Sequence, residues 1–197
     1  MKKFFLRKSD MSDNTKIVLS ALLVALFVVL RRPLAIPTPL FNFDLVFIPI
    51  IFAAFVMGPV WAMLVAGLGD LVAAVAFPVG IYSPLITLSF MIAGFVYGLF
   101  LFRKRNKSNK TLLINLIIAS LIVLVGERIL LMSLWLQILF GDAWLVILGT
   151  RAVAFAIVLP IQIAIMWVVC RFLREPIERF LVIDTEQEDD LKNDQTN

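Results

Sequence analysis

Long apolar runs separated by short polar or proline-bearing breaks set the pattern of this chain. The first, residues 17–30, follows a basic stretch with Lys2, Lys3, Arg7, Lys8 and Lys16 and closes on Arg31-Arg32-Pro33. No small-residue cleavage site follows it, which favours a retained helix over a signal peptide. Residues 33–43 (PLAIPTPLFNF) hold prolines that cannot continue a regular helix, so an extended or re-entrant loop is expected there. A second helix is expected over residues 44–57, short against the roughly 17–25 residues that a membrane span needs. Gly58-Pro59 then turns the chain into a third helix, residues 60–76, and a fourth occupies residues 85–102. After the basic loop 103–110 come a fifth helix over 111–136 and a sixth over 143–172, the latter kinked at Pro160.

Composition sharpens this pattern into a class. The chain has 197 residues, 61% of them hydrophobic, with a mean hydropathy of +0.99. Soluble domains hold roughly 45–50% apolar residues, so the expected fold class is an all-α integral membrane protein with six transmembrane helices. An even number of spans puts both termini on one side. The basic N-terminus, the 103–110 loop and Arg171/Arg174 share that side, which the positive-inside rule makes cytoplasmic. Residues 1–183 form the membrane domain. The acidic tail, residues 184–197, is expected to be disordered.

Candidate chemistry is narrowed as much by what is missing. There is no histidine, so Ser-His and Cys-His pairs and most zinc sites are excluded. Cys170 is the single cysteine and leaves no intramolecular disulfide or cysteine cluster. No Gly-x-x-x-x-Gly-Lys-Ser/Thr phosphate loop is present; Gly67 and Gly69 suit close helix packing instead. Nothing supports a membrane-embedded enzyme, a metal site or nucleic-acid binding. The absence of an internal repeat weakens a stand-alone secondary transporter.

The charges inside apolar runs are functional candidates by default. At about 1.5 Å per residue, Asp70 lies roughly 15 Å along the third helix from the cytoplasmic side, Arg128 roughly 25 Å up the fifth, and Arg151 roughly 10–12 Å down the sixth from outside. Arg31 and Arg32 end the first helix on the outer side. All lie from mid-membrane outward, as an outward-facing pocket for a polar, anionic ligand would require, and arginine's planar fork suits a carboxylate. Two blander readings stand beside this one. Asp70, Glu127, Arg128 and Arg151 could pair with one another as structural ion pairs, and Arg31 and Arg32 could snorkel to outer headgroups. The four tryptophans suit interface or packing positions. On the first helix, Ala21 and Ala25 form a small-xxx-small face that lets another helix approach, within the bundle or from a partner.

Several stretches taken together resemble a known family. They are Gly58-Pro59, Gly67-Leu68-Gly69-Asp70-Leu71, Phe77-Pro78-Val79-Gly80-Ile81-Tyr82-Ser83-Pro84, Thr87-Leu88-Ser89 and Gly94-Phe95-Val96-Tyr97-Gly98-Leu99-Phe100. With the basic loop and Arg151…Leu159-Pro160-Ile161-Gln162, they resemble the substrate-binding S components of energy-coupling factor (ECF) vitamin transporters, folate type, over roughly residues 15–175. The resemblance implies a vitamin bound near the outer face, under a lid formed by the loop after the first helix. It implies docking of Ala21 and Ala25 on a transmembrane coupling subunit, with two ABC-type ATPase subunits driving the cycle. This chain would then bind no cofactor itself, ATP being used by the partners. The S component would topple in the membrane to release its ligand inside.

For folate, one carboxylate is expected on Arg31/Arg32 and another on Arg128 or Arg151. The pterin would stack on Tyr82 or Trp135 and hydrogen-bond Asp70 or Glu127, with Thr87 in the same pocket. Pantothenate or another water-soluble vitamin precursor remains the alternative ligand.

Overall fold

The computed structural model describes residues 11–33, 36–37, 42–43, 45–78, 82–102, 109–131, 134, 137–138, 149 and 158–173. Helix α1 is Asp13–Arg31. It begins ahead of the apolar run because Ser12 caps it. The Ser12 hydroxyl oxygen accepts from the Thr15 N–H at 3.3 Å, and Asp13 complements the positive end of the helix. Lys16 is buried and ion-paired with Asp13 at 2.8 Å. At the other end the Arg32 N–H closes the helix on the Val28 carbonyl.

Beyond α1, Ile36–Pro37 (β1) and Asn42–Phe43 (β2) pair antiparallel, with Ile36 opposite Phe43. Of the two forms expected for the proline-rich segment, these residues take the extended one.

Helix α2, Phe47–Val56, is shorter than the 44–57 expected, and eight of its ten residues are buried. A helix apolar on every side belongs in a core, and a helix this short cannot cross a bilayer alone. Its end is a tight turn: the Met57 and Gly58 N–H groups both donate to the Ala53 carbonyl, at 2.9 and 3.1 Å. Gly58 has φ +98°, ψ −174°, a conformation open essentially to glycine alone.

Pro59 then starts α3, Pro59–Ala76, at the position where its missing N–H costs nothing. Helix α4 is Pro84–Leu101, again opened by a proline. The two pack tightly at Gly94 and Gly98. A Cβ on Gly94 would lie 2.5 Å from the Ala62 carbonyl oxygen, and one on Gly98 would fall on the Pro59 Cα. These contacts are backbone against glycine, the kind of approach that apolar helices use in lipid.

Within the expected 111–136 helix the described residues show a change of form: α5 runs over Asn109–Ile122 and continues as a π-helix over Val123–Leu131. The wider i→i+5 turn changes the angular spacing of side chains along the segment that holds Glu127 and Arg128. Helix α6 is described over Val158–Leu173; the first part of the expected 143–172 helix, and the 184–197 tail, lie outside the described residues.

The core gathers around α2. Phe27 of α1, Ile51 and Phe55 of α2, Val65 of α3, Leu101 of α4, Leu112 and Leu116 of α5 and Met166 of α6 are all fully or almost fully buried. Large apolar side chains also face outward, among them Val18 and Leu22 on α1, Leu68 and Val75 on α3, and Ile114 and Leu121 on α5. A greasy perimeter around a packed core is the surface of a protein dissolved in lipid. Among the described residues four helices are long and apolar enough to cross a membrane: Asp13–Arg31, Pro59–Ala76, Pro84–Leu101 and Lys110–Leu131.

Candidate ligand-binding site

The intramembrane carboxylate of α3 meets the last residue of α1 and the first turn of α4. Asp70 is only 4% exposed. Its Oδ1 pairs with Arg31 Nη2 at 3.1 Å, and its Oδ2 accepts from the Thr87 hydroxyl at 2.8 Å. Tyr82, 44% exposed just ahead of α4, has its hydroxyl 3.0 Å from Thr87 Oγ1. Thr87 has a single hydroxyl proton, which goes to Asp70, so Tyr82 is the donor in that second bond. A directed chain therefore runs from the exposed Tyr82 through Thr87 to the buried carboxylate, which Arg31 neutralises.

Sequence-local features build this arrangement. Side chains of a helix lean toward its N-terminus, so Arg31 at the end of α1 reaches back into the bundle instead of out to headgroups. Its guanidinium carbon lies 4.4 Å from the centre of the Phe90 ring, and Phe90 meets Phe27 edge-on, with ring centres 5.9 Å apart at 85°. Phe90 is one helical turn from Thr87, which puts the two on one face of α4. Gly69 gives Phe27 its room: a Cβ there would lie 2.5 Å from the Phe27 ring. Gly69→Ala must therefore push Phe27 against Phe90. A destabilisation of about 1–3 kcal/mol is expected from such overpacking, read as a fall in the thermal midpoint of the detergent-purified protein.

Arg32 sits beside the pair. Its Nε is buried and finds no hydrogen-bond partner among the described residues. Burial, then the like charge of Arg31, lowers the Arg32 pKa from its ordinary value, while Asp70 raises it. An arginine starts from so high a pKa that it stays charged at neutral pH. The cluster of Arg31, Arg32 and Asp70 thus carries one net positive charge at the end of α1, where the helix dipole also favours cations.

Of the residues singled out in the sequence, the structure brings together Arg31, Asp70, Thr87 and Tyr82, with Arg32 adjacent. Among the described residues the ionic partner of Asp70 is Arg31. Headgroup snorkelling does not describe Arg31, whose side chain is 19% exposed and faces the carboxylate. Glu127 and Arg128 fall in the π-helical segment, which packs against α4. Trp135 and Arg151 lie outside the described residues. Ala21 and Ala25 are on the exposed face of α1, while Ser20 beside them turns to α2, 3.7 Å from Met57 Sδ. Phe90 and Phe27 were missed in the sequence; the spacing of Phe90 from Thr87 was the available clue. Among the described residues no group of His, Cys, Asp or Glu is arranged to hold a metal.

Comparison with known proteins gives one consistent result. The family described as "ECF transporter, substrate-specific component" matches residues 15–170. The chain is 34% identical over 147 residues to the folate transporter FolT of Clostridium novyi, covering 75% of this chain and 83% of that one. It is 30% identical over 160 residues to FolT of Leuconostoc mesenteroides, covering 79% and 84%. Among solved structures, a crystal structure of FolT bound with folic acid superposes with a TM-score of 0.71 at 29% identity, over 79% of this chain and 92% of that one. The S component of a bacterial ECF transporter shares the fold, with a TM-score of 0.58 at 23% identity over 86% and 99%. The chain belongs to the substrate-specific components of ECF transporters, multi-pass subunits of the cell membrane that bind a substrate for transport and catalyse no reaction.

Proposed function

We propose that this chain captures folate at the outer face of the membrane and delivers it inward as the S component of an ECF importer. The observation that carries this reading is the identity to folate transporters over three quarters of the chain, together with the likeness to a folic-acid-bound structure. The net positive cluster at the end of α1 adds to it, because folate is an anion. One folate carboxylate is held at the Arg31/Arg32 end of α1 and another by Arg128 or Arg151. The pterin stacks on Tyr82 or Trp135 and hydrogen-bonds Glu127; Asp70, the other carboxylate weighed for that bond, has its two oxygens engaged by Arg31 and Thr87.

Six spans complete the fold, with both termini in the cytoplasm and the acidic 184–197 segment as a tail outside the membrane domain. Ala21 and Ala25 on α1 dock on the transmembrane coupling subunit. Two ABC-type ATPase subunits hydrolyse the ATP, and the docked S component topples to release folate inside.

Calorimetric titration of the purified chain tests the capture step. Nanomolar binding of folate, with none of pantothenate, is the expected result. Binding of pantothenate in its place would keep the transport role and replace the substrate.

A further inference from the structure

Arg31 and Arg32 are neighbours in sequence, yet their surroundings differ in kind. Arg31 is held on an edge and a face, by Asp70 at 3.1 Å and by the Phe90 ring at 4.4 Å. Drawing it toward a ligand would leave the Asp70 carboxylate buried with, among the described residues, the neutral Thr87 hydroxyl as its remaining hydrogen-bond partner, and an uncompensated charge there is strongly unfavourable. Among the described residues Arg32 has no ion pair or ring contact of this kind; its Nε, like that of Arg31, lacks a hydrogen-bond partner there, and it lies close enough to feel the charges of both Arg31 and Asp70.

We infer that Asp70 and Arg31 act as positioning residues, and that Arg32 alone makes the anion-selective contact at this end of the site. Asp70 neutralises Arg31 and pins the last turn of α1, which fixes the point where Arg32 and the 33–43 segment leave the helix. The Tyr82–Thr87 chain engages one carboxylate oxygen and Arg31 the other, so while Arg31 is in place Arg32 is left to the ligand. One ligand carboxylate then matches the one net positive charge that the cluster displays. This assignment rests on the folate-capture reading and divides its arginine pair into two roles.

The same argument predicts what removal of Arg31 does. Without it the buried Asp70 carboxylate recruits Arg32, whose charge already reaches it, and the ligand loses its contact. Neutralising Asp70 at the same time removes the competitor and returns Arg32 to the ligand.

The experiment is folate titration of detergent-purified wild type, Arg31→Gln, Arg31→Gln/Asp70→Asn, Arg32→Gln and Arg32→Lys. Loss of a charge-assisted contact corresponds to about tenfold or more in affinity, so Arg31→Gln and Arg32→Gln are each expected to weaken folate by at least that factor. The double variant is expected to recover to within about threefold of wild type, because near-isosteric neutral amides replace the pair without leaving a buried charge. Arg32→Lys is expected to recover part of what Arg32→Gln loses.

If the double variant stays as weak as Arg31→Gln, Arg31 itself touches the ligand and the inference is wrong. Wild-type affinity in Arg32→Gln would overturn it equally. Should Arg31→Gln fail to fold, the double variant and the Arg32 pair decide the matter alone. A wild-type protein that takes no folate would instead bring down the folate reading, and the assignment of Arg32 with it.

Discussion

Gly98→Leu is expected to abolish recovery of folded protein. The Cβ of any residue at this position falls on the Pro59 Cα, with the Pro59 nitrogen at 2.7 Å, so the obstacle is the backbone of α3 itself. Pro59 cannot yield, because it opens α3 directly after Gly58, whose φ of +98° holds the turn from α2. One turn earlier, a side chain on Gly94 meets the Ala62 carbonyl oxygen at 2.5 Å, so two successive turns of α4 depend on having no Cβ. Overpacking against movable side chains costs about 1–3 kcal/mol. Here whole helices must separate, and lipid supplies no hydrophobic drive to hold them together. Size-exclusion of the detergent extract is the measurement, with the monodisperse peak lost for Gly98→Leu and reduced for Gly98→Ala. Gly126→Ala is the contrast: no described residue lies within 4 Å of the added Cβ, and the protein should be recovered as wild type. A monodisperse Gly98→Leu protein would mean that α3 and α4 do not approach this closely.

The second large effect separates capture from transport. Ala25→Trp, alone or with Ala21→Trp, is expected to abolish folate uptake while folate affinity stays within about threefold of wild type, since a change to exposed surface away from the site leaves binding energetics nearly untouched. Both alanines are exposed on α1, and the buried residues Leu23, Phe27 and Leu30 define the opposite face. An indole on this face adds bulk where a partner helix needs a small residue, and it disturbs nothing inside the bundle. Uptake is measured in cells that co-express the coupling subunit and the ATPase subunits, and affinity on the isolated chain. Unimpaired uptake would remove Ala21 and Ala25 from the docking surface. Lost affinity would show that the α1 face also supports the ligand site.

Much of the fold was legible because it is written in local terms. The apolar runs that became α1 and α3 are delimited by residues with local consequences, Arg31-Arg32-Pro33 closing the first and Gly58-Pro59 turning the chain into the other, whereas the Ser12 cap and the Pro84 start of α4 came from the structure. The shortness of α2 was visible as well, and its burial on all sides explains how a ten-residue helix is accommodated. Gly67 and Gly69 were readable as packing glycines, and Met91 and Phe27 are the side chains that use the space. The change from α- to π-helix at Val123 was not legible; nothing in VLVGERILL marks it beyond Gly126 in its middle.

The candidate site divides along the same line. The sequence by itself determined that a carboxylate and several arginines lie inside or at the ends of membrane helices, because hydropathy and the positive-inside rule act on each segment independently. It also placed Arg31 and Arg32 at the C-terminal end of α1. Which of those charges pair was decided only by the tertiary structure. The neighbour of Asp70 depends on which faces of α1, α3 and α4 turn toward one another, and that follows from the glycines and aromatic rings between the helices. A buried carboxylate demands a partner, but its own sequence neighbourhood does not say which. Packing chose Arg31 and Thr87 for Asp70, and in doing so separated two adjacent arginines into one that is ion-paired and one that, among the described residues, is not.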